Sequence, residues 1–252
     1  MLAIIAGSGV SELLEDQFPV KVHTPYGPHS DIVHGKISYE DVFVMYRHNK
    51  NHSLPPHKIN FRANLFALKE LGVDQVISCC TVGSLKEDFR PGMIVMPDQF
   101  INHTGDAVTF YDGPEVYHVS MAEPFCPRMR DALIKSCTQL RVPFKQSATY
   151  LRIAGPQFST KAASRFYRTF ADIIGMTGVP EAILARELGV CFSIIATITD
   201  YDTFAEKSVS MDGVKQTMKQ NIDNLKKVLQ TAVPMLSQRN CNCKNALEGA
   251  KA

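Results

Sequence analysis

Nine consecutive residues, Val190-Cys191-Phe192-Ser193-Ile194-Ile195-Ala196-Thr197-Ile198, constrain this chain more than any other stretch. The run is almost continuously apolar and rich in β-branched side chains, as a strand buried on both faces of a sheet requires. Just before it, Val179-Pro180-Glu181 opens a helix, with proline in the first turn where a missing N–H does no harm. Ile183, Leu184 and Leu188 give that helix a buried stripe, and Gly189 stops it. The strand ends in Thr199-Asp200-Tyr201-Asp202. In α/β sheets, ligands sit in the crevice beyond the carboxyl ends of such strands. The two carboxylates are then either the acid of a site or an Asx-capped hydrophilic turn, and other strand ends must decide which.

Those other ends carry chemistry of the opposite sign. Leu2-Ala3-Ile4-Ile5-Ala6 reads as a first strand running into Gly7-Ser8-Gly9, with a helix expected from Ser11. Strand, glycine turn and helix N-terminus together form an anion cradle of outward backbone N–H groups. The dinucleotide fingerprint would need a third glycine where Glu12 stands, and no Walker lysine follows. Residues 20–46 read as a meander whose last strand, Asp41 to Tyr46, delivers Arg47-His48. Arginine suits bidentate contact with an oxyanion, and histidine adds a donor. A helix from Asn60 to Leu71 and a strand from Gln75 to Cys80 lead into a small-residue turn, Thr81-Val82-Gly83-Ser84-Leu85. Turns at 7–9, 80–84 and 176–178, with Arg47, would surround one small anion.

Further on, residues 103–124 form an irregular excursion carrying His118, and a loop that long is functional or lies in an interface. Cys126 to Leu140 is helical, and a strand over 147–153 ends in Gly155-Pro156-Gln157-Phe158-Ser159. Phe158 beside Ser159 offers a planar ring an aromatic face and a hydroxyl; the alternative is a core phenylalanine. A helix from Lys161 to Phe170 follows. From Met211 to Leu236 runs one long amphipathic helix whose first turn, after Asp202, faces any ligand.

Composition excludes several classes. A net charge of +2 with no basic run leaves no nucleic-acid footprint. No apolar stretch reaches the roughly 18 residues of a membrane span. The start lacks the basic region of a signal peptide. At 252 residues and 45% hydrophobic content, one α/β domain over 1–252 is expected, with a tail at about 237–252. The seven cysteines lack zinc spacing, which suggests mostly buried thiols in a reducing cytoplasm. Cys241-Asn242-Cys243 admits two readings: a strained, exchangeable disulfide, or two free thiols on a frayed tail outside the core pattern.

The ordered set Gly7-Ser8-Gly9, Arg47-His48, Gly83-Ser84-Leu85, Met121-Ala122-Glu123-Pro124-Phe125-Cys126-Pro127, Gly155-Pro156-Gln157-Phe158-Ser159, Met176-Thr177 with Val179-Pro180-Glu181, and Thr199-Asp200-Tyr201-Asp202 resembles the trimeric purine nucleoside phosphorylases, most closely their 5′-methylthioadenosine branch. The similarity runs from the first strand to about Leu236. It implies a single-domain α/β fold with a central mixed sheet flanked by helices, and a homotrimer or dimer of trimers. It also implies a purine-salvage reaction in which inorganic phosphate is a co-substrate, with no cofactor, metal, nucleic acid or membrane involved. By the same resemblance, phosphate would meet Ser8, Arg47, His48, the Cys80-Thr81 turn and Thr177. The base would meet Phe158, Ser159 and the catalytic pair Asp200 and Asp202. Met176 would pack on the ribose, and Met211, Val214, His52 and a neighbouring subunit's His118 would border its 5′ end. Two departures stand out. Cys80 occupies a position where that branch has threonine, and Gly175-Met176-Thr177-Gly178 looks more like methylthioinosine phosphorylases.

Chemistry bears on the substrate. Two aspartate acceptors suit the N6 amine of a 6-aminopurine, whereas a 6-oxopurine would want asparagine. Apolar Met211 and Val214 suit a methylthio group. The expected reaction is phosphorolysis of methylthioadenosine to adenine and 5-methylthioribose 1-phosphate. Methylthioinosine or a broad purine nucleoside range is the alternative, because a protonated aspartate can donate to O6. A Rossmann-type oxidoreductase lacks its third glycine and ribose acid here.

Overall fold

The computed structural model describes residues 1–6, 10–203 and 210–252. The first part carries β1 (Leu2–Ala6), β2 (Glu15–Val20), β3 (Ile32–Ile37), β4 (Glu40–Tyr46) and α1 (Phe61–Glu70). The middle carries β5 (Gln75–Ser84), β6 (Ile94–Val95), β7 (Gln99–Asn102), α2 (Pro127–Leu140), β8 (Phe144–Lys145) and β9 (Thr149–Arg152). Then follow α3 (Lys161–Tyr167), β10 (Ile173–Gly175), α4 (Gly178–Glu187), β11 (Cys191–Tyr201) and α5 (Met211–Ala232). Three helices start on side-chain caps: Asn60 accepts from the Ala63 N–H, Thr160 from Ala163 and Ser210 from Gly213. Each satisfies a backbone donor that the first turn leaves free, an effect of about 1 kcal/mol.

All the strands join one mixed sheet organised around β5. Along one edge of β5, β11 runs parallel from Cys191 opposite Gln75 to Tyr201 opposite Ser84. The other edge is shared. β1 pairs with residues 75–78, and β10 pairs antiparallel with Gly83 and Ser84. Residues 79–82 therefore have no strand partner on that edge among the described residues. That gap, at the carboxyl ends of β1 and β4, is where the site opens.

Alternation along the strands divides the core. Leu2, Ile4, Ile77 and Ile195 face a layer built from α2 and α5, including Met129, Leu133, Leu225 and Leu229. Ala3, Ile5, Val76 and Ile194 face α1 and α4, including Leu65, Leu68, Val179 and Leu184. The sheet is thus covered on both faces, as the 190–198 run requires, and each fully buried Leu or Ile contributes roughly 1.5–3 kcal/mol.

Several local expectations change. The helix expected from Ser11 is a single 3-10 turn over Val10–Leu13. The meander begins earlier, at Glu15, on an exposed edge strand. Residues 81–84 are strand, not turn, because β11 continues alongside and keeps their backbone in the ladder. For the same reason Asp200 lies within β11, at a bulge between Ile198 and Asp200. β10 has too few residues to show a period. The last helix stops at Ala232 and tightens into a 3-10 turn over Val233–Leu236, where Pro234 cannot donate to the preceding turn. The tail is not frayed: Cys243 is buried in the core, and Gln75 Nε2 donates to the Leu236 carbonyl at 3.0 Å.

Candidate active site

A cavity of about 490 Å³ opens at the gap beside β5. It brings together Arg47, His48, His52, Thr81, Phe158, Ser159, Met176, Thr177, Asp200, Asp202, Met211 and Val214, which come from segments spread over most of the chain. Ser8 lies outside the described residues. His118 is not at the cavity of its own chain; its loop is held to the tail, with the His118 N–H donating to the Ala250 carbonyl at 2.8 Å.

β4 delivers Arg47 to the cavity floor, where only 3% of it is exposed. Its Nε and Nη2 grip Glu181 bidentately at 2.5 and 3.0 Å, Nη2 also donates to Ser78 Oγ at 2.7 Å, and Nη1 donates to the Cys79 carbonyl at 3.0 Å. These bonds use four of the five guanidinium hydrogens. The bidentate face expected to hold an anion is thus occupied by a carboxylate of the protein, itself 1% exposed. Burial opposes the charge on Arg47, yet Glu181 overrides it and holds the guanidinium above its ordinary value.

His48 sits beside it, its Nδ1–H donating to the Leu54 carbonyl at 2.7 Å and its ring stacked on His52 with centroids 4.4 Å apart. Burial, then the Arg47 and His52 charges, push His48 down to about 4, against the Leu54 bond that works the other way. The ring is neutral at neutral pH, with Nε2 left as an acceptor. On β5, Thr81 lines the cavity. The sulfur of Cys80 lies behind the strand, 3.4 Å from Ser78 Oγ, and a side chain at Gly178 would touch it. Of the two residues, Thr81 is the one a ligand can reach. Thr177, just ahead of α4, adds a second hydroxyl.

The far end of the cavity is acidic. Thr199 Oγ1 donates to Asp200 Oδ1 at 2.7 Å, and the Asp202 N–H donates to the Ser84 carbonyl at 2.9 Å. Burial raises Asp200 to about 6; the Asp202 charge adds to this and the Thr199 bond opposes it. Asp202 Oδ2 and Ser159 Oγ are buried without a hydrogen-bond partner among the described residues. Both residues line the cavity, and a buried polar atom left so costs about 1–3 kcal/mol. Between the two ends the walls are apolar: Ile153, Ile174, Met176, Phe158 and, at the mouth, Met211. Met176 packs so closely on Gly155 that its sulfur fills the space a Cβ there would need.

The arrangement joins a donor-rich pole, suited to an oxyanion, to an acid pole with an unmatched acceptor. The model of the Phosphorylase superfamily matches residues 2–234. The chain belongs to that superfamily. It is 49% identical to the S-methyl-5′-thioadenosine phosphorylase of Pyrococcus horikoshii over 250 residues, covering 98% of this chain and 97% of that one. Identity to the enzyme of the same name from Thermofilum pendens is also 49%, over 255 residues, 99% of this chain and 97% of the other. Among solved structures, a methylthioadenosine phosphorylase from an antarctic soil metagenomic library superposes with a TM-score of 0.92 at 40% identity, covering 100% of this chain and 92% of that one. The methylthioadenosine phosphorylase of Schistosoma mansoni in complex with adenine gives 0.93 at 31% identity, covering 99% and 98%.

Within this phosphorylase the residue that sequence reasoning missed is Glu181, read only as a helix opener. A signal was available: it is a lone acid between Val179-Pro180 and Ala182-Ile183-Leu184, and a charge among apolar neighbours is buried only when paired. Ile174 was missed with β10, and the 53–56 wall carries no motif. Gly83 was noticed only as a small residue. A Cβ at Gly83 would stand 3.0 Å from Asp200 Oδ2 and 3.2 Å from Ile174. Gly83→Ala is therefore expected to displace the acid pair, raising the nucleoside KM and lowering kcat while leaving the phosphate KM unchanged; initial rates against each substrate check this.

Proposed function

We propose that this phosphorylase cleaves S-methyl-5′-thioadenosine with inorganic phosphate, giving adenine and 5-methylthioribose 1-phosphate. The observation that carries the reading is the acid pole. Asp202 Oδ2, buried and unpartnered, accepts from the N6 amine of adenine, and Asp200, raised to about 6, donates to N7. Phosphate is held by Arg47, Thr81 and Thr177, with His48 Nε2 accepting from the P–OH of hydrogen phosphate and Ser8 assigned there by family resemblance. A phosphate oxygen bonds to C1′ as the C1′–N9 bond breaks. The electron pair left on the purine is neutralised by the Asp200 proton, and the carboxylate regains a proton from solvent. Phe158 and Ser159 meet the base, Met176 the ribose, and Met211, Val214 and His52 the methylthio end. No metal or cofactor takes part. Rates on methylthioadenosine and methylthioinosine test the base assignment. A 6-oxopurine leaves Asp202 unmatched, so the amino substrate is expected to win in kcat/KM by at least tenfold, about 1.4 kcal/mol; equal rates would overturn it.

The pH dependence has a definite sign. The free enzyme needs Asp200 protonated, so kcat/KM for the nucleoside is expected to fall as pH rises through about 6. The same shift links to stability. The folded carboxyl holds its proton more tightly than an ordinary aspartate with its pKa of 3.8, so its contribution is full below that value and is lost as pH rises through about 6. A kcat/KM profile flat across this range would contradict the assignment.

We further assign a homotrimer, or a dimer of trimers, in the cytoplasm. The cytoplasmic placement rests on seven cysteines, an odd number. Among the described residues no helix is long and apolar enough to cross a membrane. The assembly rests on family resemblance and on His118, held in a long loop away from its own cavity. His118→Ala is expected to raise the nucleoside KM while each chain stays folded. Co-refolding His118→Ala with the double variant Arg47→Met, Glu181→Leu should restore activity in mixed assemblies, which contain sites with Arg47, Glu181 and His118 all intact. Full activity in a confirmed monomer would refute the shared site.

A further inference from the structure

Four cysteines that lie far apart in sequence converge at the end of the sheet away from the cavity. The sulfurs of Cys126, Cys191, Cys241 and Cys243 all lie within 4.8 Å of one another. Cys126 is the N-cap of α2, and its N–H donates to the Phe192 carbonyl at 2.8 Å. Cys191 opens β11, and the other two flank Asn242 in the tail. Cys126, Cys191 and Cys243 are buried, with Cys241 half-buried at the rim. The sulfurs of Cys191 and Cys241 lie 3.1 Å apart.

As neutral thiols, these groups could offer one another only weak hydrogen bonds. As thiolates they would repel. A soft divalent cation resolves both problems. With Zn–S bonds of about 2.3 Å, a tetrahedral site sets its sulfurs roughly 3.8 Å apart, within the span seen here. The surroundings favour negative charge. Cys126 stands at the N-terminus of α2, where the helix dipole stabilises a thiolate. Arg239 lies against Cys191 and Cys241, anchored by Nη2 on the Gly189 carbonyl at 2.7 Å and by Nη1 near Asp74 at 3.7 Å.

We propose that Cys126, Cys191, Cys241 and Cys243 form a structural tetrathiolate zinc site that clamps the tail onto the core. Four S–H bonds break, four Zn–S bonds form and four protons leave; no electrons move. The product carries a net charge of −2, offset in part by Arg239. Every coordination position is filled by protein, so the site is structural and not catalytic. None of its ligands lines the cavity. Its effect is mechanical. The clamped tail goes on to pair Lys251 with Tyr117 and to bind the His118 backbone, so the metal steadies the 103–124 loop from behind.

Elemental analysis of the full chain, purified with reductant and without chelator, is expected to find about one zinc per chain. Cys243→Ser should lose it. Cys241→Ser, at the half-buried rim, serves if the first variant misfolds. Cys137→Ser, a buried cysteine outside the cluster, should keep it. Replacing zinc with cobalt should give the sulfur-to-cobalt charge-transfer bands and intense visible bands of a tetrahedral tetrathiolate. Alkylation after denaturation without reductant should label all seven cysteines. Absence of bound metal after zinc is added to the reduced chain, absence of those cobalt bands, or an alkylation count short by one or two disulfides would each overturn the proposal.

Discussion

Asp200→Asn is expected to lower turnover of methylthioadenosine by about 10²–10⁴-fold while leaving the phosphate KM close to that of the parent chain. The amide can hydrogen-bond to N7 but cannot supply it a proton. The fold should hold, because asparagine has the shape of the protonated acid that burial already favours at this position. Stopped reactions analysed for free adenine measure the loss. Near-parental turnover in the variant would remove Asp200 from the chemistry and leave it a structural partner of Thr199.

Arg47→Ala should have the largest effect on stability. It leaves Glu181 buried at 1% exposure with Ser78 as its remaining hydrogen-bond partner. Breaking a buried ion pair from one side typically costs about 3–5 kcal/mol, because the other charge stays in the interior. A marked drop in the unfolding midpoint is expected, together with a raised phosphate requirement. Folding and binding separate in the double variant Arg47→Met with Glu181→Leu. Removing both charges should recover most of the stability but not the phosphate affinity. Parental phosphate affinity in that double variant would make Arg47 purely structural.

Much of this was legible before the structure. The buried run at 190–198 announced a sheet covered on both faces, and the strand-end motifs named nearly every polar residue of the cavity. What the sequence hid was pairing. Thr81 and Asp200 read as turn residues because small and acidic side chains favour turns, yet β5 and β11 carry each other past them. β10 is only three residues long, too short for any period. Arg47 advertised a free cation; its partner Glu181 lies 134 residues away, and only folding brings them together. The cysteines hid in the same way. Spacing along the chain shows local metal motifs, whereas these four meet only once the tail returns to the start of β11.

The central claim is that inorganic phosphate is the nucleophile. Purified enzyme freed of phosphate, given methylthioadenosine and then stepwise additions of phosphate, tests it directly. Adenine and 5-methylthioribose 1-phosphate should appear together, one of each for every phosphate consumed, with no release before the first addition. Adenine released at the same rate without phosphate, together with free 5-methylthioribose, would show water as the nucleophile and contradict the assignment of the Arg47, His48, Thr81 and Thr177 pole.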